Sequence, residues 1–218
     1  YGWWGMTFAW SPDGRSLAFS RPDGGGLVDI NGKKLIPEFN ITPLNTHGDW
    51  AWIPSLAWGS DDQTIYLTTH APPTGLVSPE ESPNFDLVVT SLSHNPGTTL
   101  IQQTGMFAYP AVSSPRQGES GSTFLVAFWQ AIFPTQSKTS RYQLDIMNKD
   151  GTNRHLLFPA EGQSGLQPRI PPIWAPRPLE GGDFIGVIYE GNLWIVDAAS
   201  GQSQQVTGDG STSQIDWK

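Results

Sequence analysis

The chain has 218 residues, enough for one domain with a buried core, and its 24 glycines and 19 prolines favour short strands joined by turns over long helices. Its formal net charge of −8, with only 12 lysines and arginines, argues against nucleic acid as a partner. No apolar run is long enough to insert into a membrane, and the absence of cysteine excludes disulfides and thiolate metal sites. The composition therefore predicts an all-β protein.

One pattern of strand, tight turn and strand recurs along the chain. Its first copy, at 8–19, reads Phe-Ala-Trp-Ser-Pro-Asp-Gly-Arg-Ser-Leu-Ala-Phe. Five landmarks are taken as equivalent positions in successive copies: Trp10, Trp58, Ser113, Trp174 and Trp217. They recur every 43 to 61 residues, a spacing typical of propeller blades with loops of variable length.

Each copy continues with a third strand that ends at turn residues, and a fourth strand follows. The third strands are predicted at 27–32, 86–92, 143–148 and 192–197, and fourth strands at 155–158 and 204–207. Four strands per copy predict a β-propeller of four-stranded antiparallel blades. We place a single domain over 1–218, with blades at 6–45, 53–105, 109–160 and 171–209 and the start of a further repeat at 211–218.

The segment Trp-Ser-Pro-Asp-Gly-Arg-Ser-Leu-Ala-Phe at 10–19 resembles the repeat of TolB-like propellers. These form a WD-repeat-like family whose signature is a Pro-Asp-Gly turn between the two inner strands. The segments at 145–154 and 193–201 resemble the outer half of the same repeat, and only the first copy has the full turn. The resemblance implies a propeller fold and a periplasmic or extracellular location in bacteria. It specifies fold more than function.

Four blades and one extra strand leave the predicted ring open. Most propellers of this type contain more blades, and an uncovered sheet edge favours association with another chain. We therefore expect one of three arrangements. The chain is a fragment of a larger propeller, its terminal segments pair with each other, or a neighbouring molecule covers the gap through self-association.

Blade topology places the inter-blade segments and the second-to-third loops on one surface, which we name the aromatic face. The second-to-third loops at 69–84 and 129–141 are long, and long loops in compact domains are often functional. The predicted ligand-binding residues of the aromatic face are Trp3, Trp4, His47, Asp49, Trp50, Trp52, Phe107, Tyr109 and Arg169. Exposed rings of this kind suit stacking on a sugar or anchoring a peptide.

The tryptophans also have a purely structural interpretation, because rings at the start of inner strands fill the space between blades. The sequence favours this core position for Trp10, Trp58 and Trp174. For four others the choice between core and surface stays open: Trp3, Trp4, Trp50 and Trp52. If Trp50 and Trp52 bind ligand, we expect their replacement by alanine to leave the melting temperature nearly unchanged.

No catalytic motif stands out. The segment at 118–121 lacks the spacing of a Gly-x-Ser-x-Gly nucleophile elbow, the four histidines are too scattered for a zinc site, and 148–151 reads as a hairpin turn. We expect no cofactor and no metal. The sequence favours a non-catalytic binding or scaffold propeller for a protein, peptide or glycan. The alternatives are the substrate-gating propeller of a larger serine peptidase, or a propeller glycosidase or lyase that uses channel carboxylates.

Overall fold

Four antiparallel sheets of four strands each make up the fold. The computed structural model describes residues 5–73, 75–118, 121–176 and 182–217. The first strand of each sheet contacts the first strand of the next, so the sheets radiate like the blades of a propeller. The all-β propeller fold class is confirmed.

Blade 1 carries the complete Pro-Asp-Gly turn. Its strands are β1 (Thr7–Trp10), β2 (Ser16–Arg21), β3 (Gly24–Asp29) and β4 (Phe39–Asn40). Between β1 and β2 the backbone N–H of Gly14 donates to the carbonyl of Ser11 at 2.9 Å, and Gly14 has φ +69°. Glycine adopts this left-handed conformation without steric cost, which explains its place in the turn.

Blade 2 reaches the same turn shape with a different sequence. Its strands are β5 (Leu56–Trp58), β6 (Thr64–His70), β7 (Phe85–Ser91) and β8 (His94–Ile101). Asp61 Oδ1 accepts hydrogen bonds from the backbone N–H groups of Gln63 and Thr64, and Asp62 has φ +57°. Aspartate side chains cap turns in this way and tolerate the left-handed region, so the Pro-Asp-Gly motif is dispensable here.

Blades 3 and 4 complete the set. Blade 3 has β9 (Ala111–Val112), β12 (Leu125–Ala131), β13 (Tyr142–Asn148) and β14 (His155–Phe158), with an added hairpin of β10 (Arg116–Gly118) and β11 (Gly121–Thr123). Blade 4 has β15 (Ile173–Trp174), β16 (Phe184–Tyr189), β17 (Asn192–Asp197) and β18 (Ser203–Gln205). The only helical segments in the described part of the chain are the short 3₁₀ turns Pro79–Glu81 and Pro134–Gln136, and neither could cross a membrane.

Adjacent blades are joined by a repeated hydrogen bond at the inner strands. The indole N–H of Trp58 in blade 2 donates to the carbonyl of Ala9 in blade 1 at 2.8 Å. The indole N–H of Trp174 in blade 4 donates to the carbonyl of Ala111 in blade 3 at 3.0 Å. Ala9 and Ala111 occupy the same place in their strands, so a tryptophan in one blade repeatedly binds the inner strand of the blade before it.

The backbone hydrogen bonds across the inner hairpins correct one of the landmark positions. In blades 1, 2 and 4 the residue after the tryptophan landmark donates its backbone N–H across the inner hairpin, and in blade 3 Ser113 makes this donation; the four donors are Ser11, Gly59, Ser113 and Ala175. The blade 3 equivalent of Trp10 is therefore Val112, which pairs with Val126 and packs in the cluster between blades 2 and 3. The choice of Ser113 was wrong by one residue, because the inner strand of blade 3 has only two residues and no tryptophan to fix its register.

The outer face of blade 1, which points away from blade 2, is apolar, and no described residue outside blade 1 forms a sheet or core cluster with it. We define it by Phe8, Trp10, Leu17, Phe19 and Val28, which share one side of the sheet through the pairs Phe8–Phe19, Trp10–Leu17 and Leu17–Val28. Phe8 is 56% exposed and Trp10 is 59% exposed. The core position predicted for Trp10 is wrong, because no blade precedes it within the described residues.

The outer face of blade 4 is different, because the segment 211–217 lies against it. Ile215 is within ordinary contact distance of the position that a side chain on Gly186 would occupy, and the backbone N–H of Thr212 donates to the carbonyl of Gly191 at 2.7 Å. The segment forms no strand within the described residues. The extra strand predicted in the further repeat at 211–218 does not form within the described residues 211–217, which cover the last blade instead.

Candidate binding site on the aromatic face

A central cleft opens where the segments that enter the four blades meet. Its volume is about 400 Å³. The lining includes residues from every blade entry: Thr7, Trp50, Ile53, Phe107, Tyr109 and Pro171. Most of the lining is apolar, so the centre of the aromatic face offers a concave surface from which large side chains exclude water.

A side cleft of about 360 Å³ lies between the loop before blade 2 and the loops of blades 2 and 3. His47 Nε2 is 2.9 Å from Glu81 Oε2, and Asn45 Nδ2 donates to Glu81 Oε1 at 2.6 Å. The hydrogen bond from His47 is the main reason that the pKa of Glu81 lies below its usual range. These bonds connect two loops that are distant in sequence and fix the polar wall of the cleft.

A basic cleft of about 380 Å³ lies between the loop of blade 3 and the entry to blade 4. Its lining includes Phe107, Lys138, Arg141, Gln167 and Arg169. Arg169 Nη2 is 3.3 Å from Gln167 Oε1, a weak hydrogen bond between exposed side chains. Lys138, Arg141 and Arg169 therefore face solvent, although the chain as a whole is acidic.

The three clefts form one continuous surface because they share lining residues. Trp50 lines both the central and the side cleft, Phe107 lines the central and the basic cleft, and Lys138 lines the side and the basic cleft. Lys138 Nζ lies 5.2 Å from the centroid of the Trp50 ring, within the range of a cation–π contact. A ligand larger than one cleft could thus contact all three.

Trp52 belongs to the core. It is 3% exposed, its indole N–H donates to the carbonyl of Met106 at 2.8 Å, and its ring meets Phe85 edge-on at 5.0 Å. Trp52 is part of the wall of the central cleft, but its ring packs in a buried cluster with Phe85 and Met106. The ring therefore supports the site and does not face solvent. The expectation that Trp52 can be replaced without loss of stability is therefore reversed by its burial.

His70 supports the same region from beneath. It is 4% exposed and stacks on Phe85 at 4.9 Å. Its Nδ1 lies 3.1 Å from the carbonyl oxygen of Thr42, and its Nε2 lies 2.6 Å from that of Ser82. The imidazole thus holds the segment next to Glu81 against the segment that leads to the side cleft.

The remaining predicted residues fall into three groups. His47, Trp50, Phe107, Tyr109 and Arg169 line the clefts described above. Asp49 is exposed on the same loop as Trp50 but lines none of the three clefts. Trp3 and Trp4 lie outside the described residues.

The aromatic rings around the central cleft cover one another. Phe107 and Tyr109 lie 6.0 Å apart between ring centroids, and Phe107 lies 6.1 Å from Tyr142. Burial raises the pKa of Tyr109 above its ordinary value. Trp50, at 36% exposed, is the most accessible of the tryptophans at the cleft.

Three charged residues that line the clefts were not predicted from the sequence: Glu81, Lys138 and Arg141. Only the length of the predicted loop at 129–141 pointed towards Lys138 and Arg141. In the structure this loop spans 132–141, because β12 continues to Ala131. Trp129, predicted as loop, is 2% exposed in the core. The blade 2 loop similarly starts at 71, after His70 ends β6.

Nowhere in the described part of the chain do three histidine or acidic side chains come close enough together to hold a metal ion. The segment at 148–151 forms a turn, in which the backbone N–H of Gly151 donates to the carbonyl of Asn148 at 3.0 Å. Of the segment at 118–121, only Gly118 and Gly121 are among the described residues, at the ends of β10 and β11.

No protein-family model matches the chain, and no curated protein matches its sequence. The chain is similar to a structure described as a putative TolB from Agrobacterium tumefaciens, with 12% identity, a TM-score of 0.38, and coverage of 92% of this chain and 80% of the other. The blade architecture rests on the strand pairing of this chain itself, and membership of the TolB-like family stays a prediction.

Proposed function

We propose that this chain is a binding module that holds a protein, peptide or glycan against the aromatic face. The observation that carries the proposal is the continuity of the central, side and basic clefts, each of about 360–400 Å³. Single ligand pockets commonly have about 300–1,000 Å³. Three pockets that share walls provide an extended surface suited to a ligand with several groups.

The chemistry of the surface supports the same proposal. The central cleft is mainly apolar, whereas the side and basic clefts present hydroxyl, amide and charged groups. Recognition surfaces typically combine an apolar centre, which excludes water, with a polar rim that fixes orientation. The arrangement is therefore that of a surface that orients a ligand.

The distribution of carboxylates favours binding over glycoside hydrolysis. Among the described residues that line the three clefts, Glu81 is the one acidic residue, and its carboxylate is bound to His47 and Asn45. Glycosidases generally use two carboxylates on either side of the scissile bond, about 5–10 Å apart. These clefts offer no such pair of described residues.

The test compares two exposed tryptophans on different surfaces of the chain. Trp50→Ala removes a ring shared by two clefts, and Trp10→Ala removes a ring on the outer face of blade 1. Probes would come from a peptide display library and a glycan array, and the dissociation constant of each retained probe would be measured by fluorescence polarisation. We expect Trp50→Ala to weaken binding about tenfold or more, as for an interface hot spot, and Trp10→Ala to leave it unchanged.

Two outcomes would contradict the proposal. Probes whose affinity depends on Trp10 but not on Trp50 would move the binding surface to blade 1. Failure to retain any probe whose affinity depends on Trp50 would remove the binding role of the aromatic face.

A further inference from the structure

Three cations on the aromatic face have no acidic partner within 4.0 Å in the described part of the chain: Lys138, Arg141 and Arg169. By contrast, five other described cations each pair with a carboxylate: Arg15, Arg21, Lys34, Arg116 and Arg154. The chain has 20 acidic residues for 12 lysines and arginines, so carboxylates are numerous enough for every cation to form such a pair. Two more described cations, Lys33 and Lys149, also form no salt bridge but lie elsewhere, so three of the five unpaired cations are grouped on the aromatic face.

The three cations also share one cleft. All of them line the basic cleft, and its described lining contains no acidic residue. Arg141 and Arg169 also line an adjoining cavity of about 310 Å³ next to blade 4, where Glu190 is the one acidic residue of the described lining and forms no salt bridge with either arginine. Like charges placed together repel unless an anion lies between them, so the cluster fits a negatively charged ligand group.

The backbone that carries these cations is held in place. The carbonyl of Arg141 accepts the backbone N–H of Ile132 at 2.9 Å, and the Tyr142 hydroxyl donates to the carbonyl of Ser137 at 2.8 Å. Across the cleft, the indole N–H of Trp129 donates to the carbonyl of Ile170, next to Arg169, at 2.9 Å. Fixed attachment points reduce the conformational entropy lost when the side chains bind.

We propose that the basic cleft receives carboxylates of an acidic protein segment, which also places an apolar side chain in the central cleft. This inference rests on the proposed binding function of the aromatic face. Arginine forms paired hydrogen bonds with a carboxylate, so Arg141 and Arg169 suit aspartate or glutamate side chains. Phe107 lines both clefts and would lie beneath the ligand backbone between the two anchors.

The aromatic residues favour a peptide over an acidic glycan. Sugar stacking needs a flat ring that is open to solvent, but Lys138 lies over the Trp50 ring and Trp52 is buried. Phe107 and Tyr109 are half-buried and lie against each other. The apolar walls thus form a pocket for a side chain rather than a platform for a sugar ring.

The net charge of the chain makes this inference sensitive to salt. The formal charge of −8 repels an acidic segment over most of the surface, and the basic cleft provides a local attraction. Because salt screens exposed charges beyond about 10 Å at 0.1 M, higher salt weakens both the repulsion by the acidic surface and the attraction by the basic cleft. The short-range contact with the arginines dominates once the segment is bound, so we expect affinity to fall as salt rises.

The experiment is a selection from a random peptide display library on the immobilised chain, with an array of neutral and acidic glycans in parallel. Selected peptides are expected to be enriched in aspartate and glutamate close to a large apolar residue. For one such peptide, Arg141→Gln and Arg169→Gln should each weaken binding about tenfold. Lys33→Gln and Lys149→Gln are matched controls, because these described cations also form no salt bridge and line none of the clefts.

The outcomes separate this inference from the proposed function. Peptides that depend on Trp50 but lack acidic enrichment, or that bind Arg141→Gln and Arg169→Gln unchanged, would overturn the inference and leave the binding function in place. An acidic oligosaccharide retained through the two arginines would replace the peptide with a glycan. Loss of binding in the Lys33→Gln and Lys149→Gln controls would show that the effect is one of net charge, and would also overturn it.

Discussion

The outer face of blade 1 and the matching face of blade 2 have the same design and opposite environments. In blade 2, Trp58 pairs across the hairpin with Ile65, and both pack between the blades with Ala18 and Leu27. In blade 1 the equivalent Trp10 pairs with Leu17 and faces solvent. A repeat therefore specifies where a side chain points, whereas burial depends on whether another blade covers that side.

The end of the chain adds a second contrast. Blade 4 is covered on its outer side by residues that follow it, with Ile215 against Gly186. The two terminal blades therefore differ in what shields them. The predictions that follow test whether position in the array, rather than residue type, decides what a tryptophan contributes.

The largest effect is expected for Trp58→Ala. This substitution removes a ring that is 6% exposed and the hydrogen bond to Ala9, so the free energy of unfolding should fall by about 3–5 kcal/mol. The matched substitution Trp10→Ala should change it by no more than about 0.5 kcal/mol, because the ring is largely in water. Urea denaturation followed by circular dichroism measures both, and similar losses for the two variants would contradict the comparison.

A smaller effect is expected for Trp52→Phe, which keeps an aromatic ring but removes the indole N–H. The carbonyl of Met106 then loses a buried donor, and the free energy of unfolding should fall by about 1–3 kcal/mol. Trp50→Phe is the control two residues away, since no hydrogen bond from its side chain is lost within the described structure. If both variants unfold at the same urea concentration, the hydrogen bond from Trp52 to Met106 contributes little to the free energy of unfolding.

The smallest effect concerns association between copies of the chain. The self-association predicted from the open ring should use the outer face of blade 1, because exposed rings on a sheet face gain by leaving water. We expect Phe8→Ser with Trp10→Ser to weaken association at least tenfold, about 1.4 kcal/mol, in sedimentation equilibrium. Ile132→Ser with Phe133→Ser removes exposed apolar side chains elsewhere and should have no effect, and a chain that stays monomeric at all concentrations would contradict the expectation.

Much of the fold was predictable because the repeat is periodic. The third strands predicted at 143–148 and 192–197 are observed at Tyr142–Asn148 and Asn192–Asp197, since short apolar stretches bounded by turn residues define both. The loops were predicted too long. Residues such as Trp129 continue the strand, and only pairing with a neighbouring strand, here with Leu144, shows this.

The candidate site was less predictable because its contacts cross the sequence. His47, Trp50, Phe107, Tyr109 and Arg169 line the clefts, as topology alone can place blade entries on one face. No sequence pattern could show that Glu81 binds His47, or that Lys138 and Arg141 have no acidic partner while other cations do. Such facts depend on loop conformation, which short-range patterns do not determine.

The indole hydrogen bonds give each boundary between blades its own reporter. Trp58 spans blades 1 and 2, Trp52 reaches from blade 2 to the entry of blade 3, and Trp129 and Trp174 join blades 3 and 4. The rate at which each indole proton exchanges with deuterated water measures how often that boundary opens. An NMR exchange series on the unaltered chain would therefore show in which order the blades separate.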